Sequence, residues 1–301
     1  MRERGGVTLV GDRLDGLAVG LIIRGRMSSQ SSVSPVVPAH GWHVLHLFYR
    51  IEHGQWAMLS TEERIAAKTQ MTELIQEIRA TEHTQLLVFS VVSPKADLGF
   101  MLLTPDLHTA NAFEKRLSLG LGPDVLTPVY SFLSLTEESE YITSSEEYAQ
   151  TLEKEQGLER GSEAFEKALA EFQTRMAKYT KDKLYPQLPV WEVICFYPMS
   201  KRRAPGQNWY ALTFEERKAL MAGHGRVGRQ YHGKILQLIT GSTGLDDAEW
   251  GVTLFAHDPY FIKDIVYRMR FDAVSVNYAE FGDFYIGLLL PLDELFRRVL
   301  L

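Results

Sequence analysis

Residues 250–270 read WGVTLFAHDPYFIKDIVYRMR, and the structural period changes halfway along them. Trp250 to Ala256 has the apolar, aromatic composition of a strand. Asp258 and Pro259 then supply a helix N-cap followed by proline at the first helical position. Ile262, Ile265, Val266 and Met269 recur at helical spacing beyond them. A strand that passes directly into an amphipathic helix is two of the six elements of a ferredoxin-like unit, and the flanking sequence supplies the other four. Upstream, Val190 to Tyr197 reads as a strand, Thr213 and Glu216 form a capping box opening a helix that runs towards Gly225, and Lys234 to Thr240 reads as a strand. Downstream, Gly282 to Leu289 closes the unit. The order is β-α-β-β-α-β.

The first half of the chain repeats that order. Trp42 to Tyr49 is a strand, the Ser60/Glu63 capping box opens a helix with Met71, Leu74, Ile75 and Ile78 on one face, and Leu86 to Val92 and Leu98 to Leu103 are strands. A helix starts at Pro105, and a strand from about Val125 to Leu135 ends the unit. The expected fold class is therefore α+β, with two tandem ferredoxin-like units whose sheets pack into a dimeric-type α+β barrel that hides strand edges. The boundaries are a flexible Ser/Pro-rich extension over 1–40, an N-terminal unit over 41–135, a charged, partly helical and solvated connector over 136–188, and a C-terminal unit over 189–301 that carries the site. Met27 is a candidate translation start.

A chain of 301 residues with 45% apolar and 23% charged residues has the composition of a folded globular protein. The net charge of -6 argues against a general nucleic-acid binder, which needs an excess of cations to displace counterions. Cys195 is the only cysteine, so a disulfide framework and a cysteine-rich metal centre are both excluded, and a reducing, cytoplasmic setting fits. Leu17 to Ile23 is too short an apolar run to span a bilayer.

Candidate functional residues cluster between Tyr197 and Tyr285. His224 shares a helix side with Leu220 and Met221, where a histidine is either a hydrogen-bonded packing residue or a ligand. Gln237 alternates with Ile235 and Ile239, which makes it either a solvent-facing residue or a donor into a cavity. Tyr197 shares a strand face with Cys195, Val193 and Trp191. Arg270 follows Val266 by four residues, and needs an anion there, either Asp272 or a ligand carboxylate.

Taken together, YPMSK, NWY, the helix from EER to HG, GSTGLDDAEWGVTLFA and MRFD with the following Val and Ser are long linked motifs. They closely resemble the coproheme decarboxylase branch of the chlorite dismutase-like superfamily, and the resemblance extends from about Trp42 to Leu290. It implies iron-coproporphyrin III (coproheme) as substrate and redox cofactor, hydrogen peroxide as oxidant and haem b as product. By resemblance, His224 matches the proximal iron ligand and Tyr197 the redox-active tyrosine. Lys201 matches a lysine that handles protons beside a propionate, and Gln237 matches the distal glutamine. Arg270, Ser275 and Trp209 match residues around the propionates. The family also implies a homopentamer and transient contact with a coproporphyrin ferrochelatase. Ala273, Asn277 and His257 depart from the family pattern, Asn277 standing where arginine is usual. The competing readings are a chlorite dismutase, which places an arginine at the distal position, a haem peroxidase, and a non-catalytic haem-binding or delivery protein.

Overall fold

A computed structural model of the protein describes residues 33–301. The run Leu17 to Ile23, the candidate start Met27 and most of the expected 1–40 extension lie outside the described residues. The end of that extension is held in place: the Val36 amide donates to Asp106 at 2.8 Å, and its carbonyl accepts from the Leu107 amide.

Strand β1 (His43–Ile51), helices α1 (His53–Met58) and α2 (Thr61–Ala80), strands β2 (Gln85–Val91) and β3 (Leu98–Thr104), α3 (Leu107–Ser118) and β4 (Leu126–Thr136) form the first half. Helices α4 (Ser145–Lys154) and α5 (Glu163–Leu184) follow. The second half opens with β5 (Val193–Lys201), a hairpin of β6 (Arg203–Ala204) and β7 (Gln207–Asn208), and a short turn of helix over Trp209–Ala211. It continues through α6 (Phe214–Arg229), β8 (Leu236–Gly241), β9 (Trp250–Ala256), α7 (Pro259–Met269), α8 (Ala273–Tyr278), β10 (Ala279–Phe281), β11 (Tyr285–Leu289) and α9 (Leu292–Arg298).

Local chemistry explains the boundaries. The capping boxes at Ser60/Glu63 and Thr213/Glu216 both form, and a third appears at Ser144/Glu147. The helix placed at Pro105 starts at Leu107 instead, because the Asp106 carboxylate accepts from the amides of His108 and Thr109 and so becomes the cap. The last strand begins at Tyr285 rather than Gly282, since Gly282 packs against Pro198 and donates to its carbonyl at 2.8 Å. Trp191 lies outside β5 and stacks on His257.

The sheet runs β10-β5-β11-β2-β3-β1-β4-β8-β9, and β9 pairs again with β5. From β5 through β11, β2, β3, β1, β4, β8 and β9 back to β5, antiparallel pairs close a ring that leaves none of these strands with a free edge. Within it the first four long strands lie in the order β2-β3-β1-β4 and the last four in the order β11-β5-β9-β8. The inside of the ring is packed with Val44, Phe48, Phe89, Phe132, Phe196 and Phe255. Gly99 and Gly287 flank the Phe89 ring on neighbouring strands, and a Cβ at either would overlap it. Outside the ring are two further apolar layers, one beneath α2 and α3 and one beneath α7.

The connector is helical over α4 and α5 and mostly exposed, and it also touches α6. Its two helices share a small core of Ala149, Leu152 and Phe165. Glu147 pairs with Lys218 on α6, and the Tyr141 hydroxyl accepts from Arg217 Nε at 3.1 Å.

Candidate functional site

The site is assembled on the outer face of the second-half sheet. Successive side chains alternate faces along a strand, so Cys195, Tyr197 and Lys201 share one face of β5, opposite Ile194 and Phe196. Across β9 the register aligns Gln237 with Leu254 and Leu254 with Cys195, which puts Gln237 on the same outer face.

Tyr197 is buried, and its ring stacks on Phe284 at 4.3 Å. Its hydroxyl has no hydrogen-bond partner among the described residues. Burial pushes this phenol well above its ordinary range, with the thiol of Cys195 adding to the effect and the guanidinium of Arg270 opposing it. Arg270 caps the end of α7 and lies over the Phe281 ring at 4.4 Å. It makes no ion pair among the described residues. Of the two anions open to Arg270, Asp272 is not the partner, because that carboxylate is engaged elsewhere.

Asp272 is the N-cap of α8 and accepts from the amide and hydroxyl of Ser275 at 3.0 and 3.2 Å. The oxygen that takes the hydroxyl bond also stands 2.9 Å from His224 Nδ1. Burial pushes the Asp272 carboxyl up, but the bonds from His224 and Ser275 outweigh burial and leave it below the usual carboxylate range. An ionised carboxylate can only accept, so Nδ1 carries the proton and the lone pair of His224 is on Nε2. This is the arrangement of a metal-ligating histidine whose ring is oriented by an acid behind it.

Lys201 is also buried. Its ammonium sits over the Trp209 ring at 4.4 Å, which brings these two expected site residues into contact. Burial lowers the Lys201 pKa to about 8, although Asp272 and Glu249 both pull it upward. Glu249 accepts from the Lys201 amide at 2.7 Å and pairs with Arg203. Thus Lys201, Trp209, Asp272, His224 and Ser275 form one connected group, while Tyr197 and Arg270 join through Phe284 and Phe281.

Helix α6, which carries His224, buries no residue at all. The apolar side inferred from Leu220 and Met221 is only partly covered. Gln237 faces this helix: a Cβ added to Gly228 would lie 3.6 Å from Gln237 Nε2 and 3.4 Å from Met269. Beside Tyr197, a cavity of about 690 Å³ is lined by Ile262, Val266, Arg270, Phe284 and Ile286 among others. Its size is that of an ordinary small-molecule site.

Sequence reasoning missed the roles of Asp272, Glu249, Phe281 and Phe284. The Asp-x-x-Ser spacing ahead of α8 was the available signal for Asp272, since it marks a helix N-cap. Cys195 is buried and its thiol is pushed up to about 12 by that burial, which leaves it inert. His257 is exposed and bonded to Glu192, and His232 is exposed.

The family model described as chlorite dismutase matches residues 55–290. A haem-binding protein from Thermus thermophilus is 36% identical, superposes with a TM-score of 0.72, and the match covers 89% of this chain and 99% of that one. A mutant chlorite dismutase from Candidatus Nitrospira defluvii superposes at 0.65 with 18% identity over 87% of this chain and 97% of that one, a likeness of fold. An imidazole complex of chlorite dismutase from the same organism superposes at 0.64, with 18% identity over 87% and 96% of the two chains.

Proposed function

The chain belongs to the chlorite dismutase family, and from that premise we propose that it is a coproheme decarboxylase. It oxidises two propionates of iron-coproporphyrin III to the vinyl groups of haem b, with hydrogen peroxide as the oxidant. The observation that carries this reading is the joint placement of Tyr197, Lys201 and Gln237 on one sheet face, with the helix that presents His224 close to Gln237 and packed against α7 and α8. The residues present fit an iron porphyrin. His224 would hold the iron through Nε2, with Asp272 fixing the ring. The bound iron supplies the chemistry that converts peroxide into an oxidant.

Each propionate requires one peroxide: –CH2CH2COO⁻, H2O2 and one proton give –CH=CH2, CO2 and two waters. Tyr197 gives up an electron and its phenolic proton, then takes a hydrogen atom from the β-carbon of the propionate. No hydrogen bond from the described residues holds the hydroxyl back from that transfer. Lys201, with a pKa of about 8, is poised to hold the carboxylate as an ammonium and to deliver the proton that the balance requires. Arg270, which has no ion pair among the described residues, is a cation at the cavity wall suited to a second carboxylate, and Ser275 and Trp209 line the Lys201 side. Gln237, in place of a distal arginine, favours this reading over a chlorite dismutase.

We also read the two four-strand groups as tandem ferredoxin-like units, which the 4-1-3-2 strand order of each supports. A cytoplasmic homopentamer that receives its substrate from a coproporphyrin ferrochelatase completes the proposal. Light scattering on the purified protein reads the number of subunits. The decisive experiment is anaerobic loading with iron-coproporphyrin III, peroxide titration and mass analysis of the pigment. Stepwise loss of two carboxyl groups is expected, and Tyr197→Phe should bind the porphyrin almost normally yet stall before the first loss. An unchanged pigment in the wild type, or haem b at the wild-type rate from Tyr197→Phe, sinks the decarboxylase reading or the tyrosine's role respectively.

A further inference from the structure

The sheet wall that carries Tyr197 on its outer face carries a second tyrosine on its inner face. β5 and β11 pair with Tyr285 opposite Phe196, so Tyr285 stands one register step from Tyr197 on the neighbouring strand and points inward. Phe284, its chain neighbour, is the ring stacked on Tyr197. Inside the ring of strands, Tyr285 stacks on Phe48 at 4.1 Å and on Tyr130 at 5.4 Å, the two tyrosine planes only 13° apart.

This tyrosine pair sits at the end of the barrel formed by the turns between β2 and β3, β8 and β9, and β10 and β11. Asp246, Asp247 and Asp283 act electrostatically on Tyr130, and Asp283 acts on Tyr285. Lys95 lies 5.6 Å over the Tyr285 ring and pairs with Asp283 at 3.2 Å. Neither phenol has a hydrogen-bond partner among the described residues. Packing alone does not call for phenols here, since phenylalanines fill the adjoining interior positions.

We propose that Tyr130 and Tyr285 form a second one-electron oxidation site, which reduces an oxidised Tyr197 when no propionate is in place to react. This rests on the reading of Tyr197 as the residue oxidised during turnover. The step balances: an electron passes from Tyr285 to Tyr197, Tyr285 releases its phenolic proton at the acidic barrel end, and Tyr197 regains a proton on the outer face. Electrostatics sets the direction. Three carboxylates, offset by one lysine, favour loss of an electron from the pair, whereas Tyr197 lies beside the cation Arg270. When both members are oxidised, the stacked rings couple at their ortho carbons into dityrosine. Two hydrogens are lost, and one peroxide is reduced to two waters.

The test uses haem-b-loaded protein, which has no coproheme propionate left to convert, treated with excess hydrogen peroxide and mapped by peptide mass. A link two hydrogens lighter that joins the peptides of Tyr130 and Tyr285 is expected. It should vanish in Tyr285→Phe and Tyr130→Phe and fall several-fold in Tyr197→Phe. Equal yield in Tyr197→Phe overturns the relay. A second arm oxidises the ligand-free protein with photogenerated tris(bipyridine)ruthenium(III), and dityrosine that forms elsewhere but not at this pair overturns the site. If coproheme loses both carboxyl groups while the pair stays unmodified, the proposal fails and the decarboxylase reading stands.

Discussion

Helices α2 and α6 occupy equivalent places in the two halves, each following a first strand and each opened by a capping box. They differ in what they cover. Helix α2 buries Ala67, Met71, Leu74, Ile75 and Ile78 against an apolar sheet face that includes Leu47, Tyr49, Phe100 and Leu102. Helix α6 buries nothing, and the face beneath the second-half helices presents Tyr197, Lys201 and Gln237. One half uses its helix–sheet seam to stabilise the fold. The other leaves the stretch beside α6 under-packed next to the apolar layer beneath α7, which suits a bound planar molecule better than a dry core.

The largest effect that would break this contrast is on stability. Met71→Ala removes a fully buried side chain and should cost about 2–5 kcal/mol of unfolding free energy. His224→Ala should cost less than about 1 kcal/mol, because no residue of its helix is fully buried. Iron-porphyrin titration should show the reverse order, with a displaced Soret band in His224→Ala and a wild-type one in Met71→Ala. Equal losses of stability in denaturant melts would mean that the two seams are energetically alike.

Lys201 sharpens the contrast through its charge. Its folded pKa of about 8 lies below the ordinary 10.5, so the unfolded chain binds more protons between those values. Stability therefore rises with pH across that window, and below pH 8 the buried charge is a full penalty of roughly 3 kcal/mol at most. Lys201→Met keeps the stem and removes the charge, and should raise the melting temperature at pH 7 while abolishing decarboxylation. In the wild type, turnover should fall as pH climbs through about 8. A melting temperature lowered by Lys201→Met, or turnover flat from pH 7 to 10, contradicts this account.

The contrast also explains what was legible in the sequence. Element order, the capping boxes and the apolar stripe of α2 are local or periodic signals, and each appears where expected. The strand face that Tyr197 shares with Cys195 and Val193 followed from strand alternation, which left open whether Gln237 faces solvent or a cavity. Sequence left Asp272 open as a partner of Arg270 because the two are near in the chain, while the partner that Asp272 takes, His224, is 48 positions away. Spacing along a chain does not report a bond made when two helices meet. The contacts between the connector and α6 escaped for the same reason, since Glu147 and Tyr141 look like solvated residues until α6 is placed beside them.

Asp272→Asn offers a smaller and more selective effect. Asparagine caps a helix as well as aspartate does, so α8 should persist and stability should change little. The Nδ1–H of His224 would then face a neutral amide oxygen. Loss of such a supporting carboxylate typically weakens metal affinity about 10- to 100-fold. The iron potential should move upward in the same variant. Unchanged affinity and potential would reduce Asp272 to a helix cap.

The smallest effect separates helix propensity from space. Gly223 and Gly228 lie on the same helix, and each glycine costs about 1 kcal/mol relative to alanine. A Cβ at Gly223 would meet nothing within 4 Å, whereas one at Gly228 would approach Met269 at 3.4 Å and Gln237 at 3.6 Å. Those are ordinary contacts with flexible side-chain ends, so Gly223→Ala and Gly228→Ala should both stabilise the ligand-free protein by about 0.5–1 kcal/mol. They should part company when iron-coproporphyrin is titrated in. A methyl at 228 projects into the gap between α6 and Gln237, and weaker binding there, beside unchanged binding in Gly223→Ala, would locate the macrocycle in that gap. Equal affinities for the two variants would place it elsewhere on the sheet face, nearer the cavity beside Phe284.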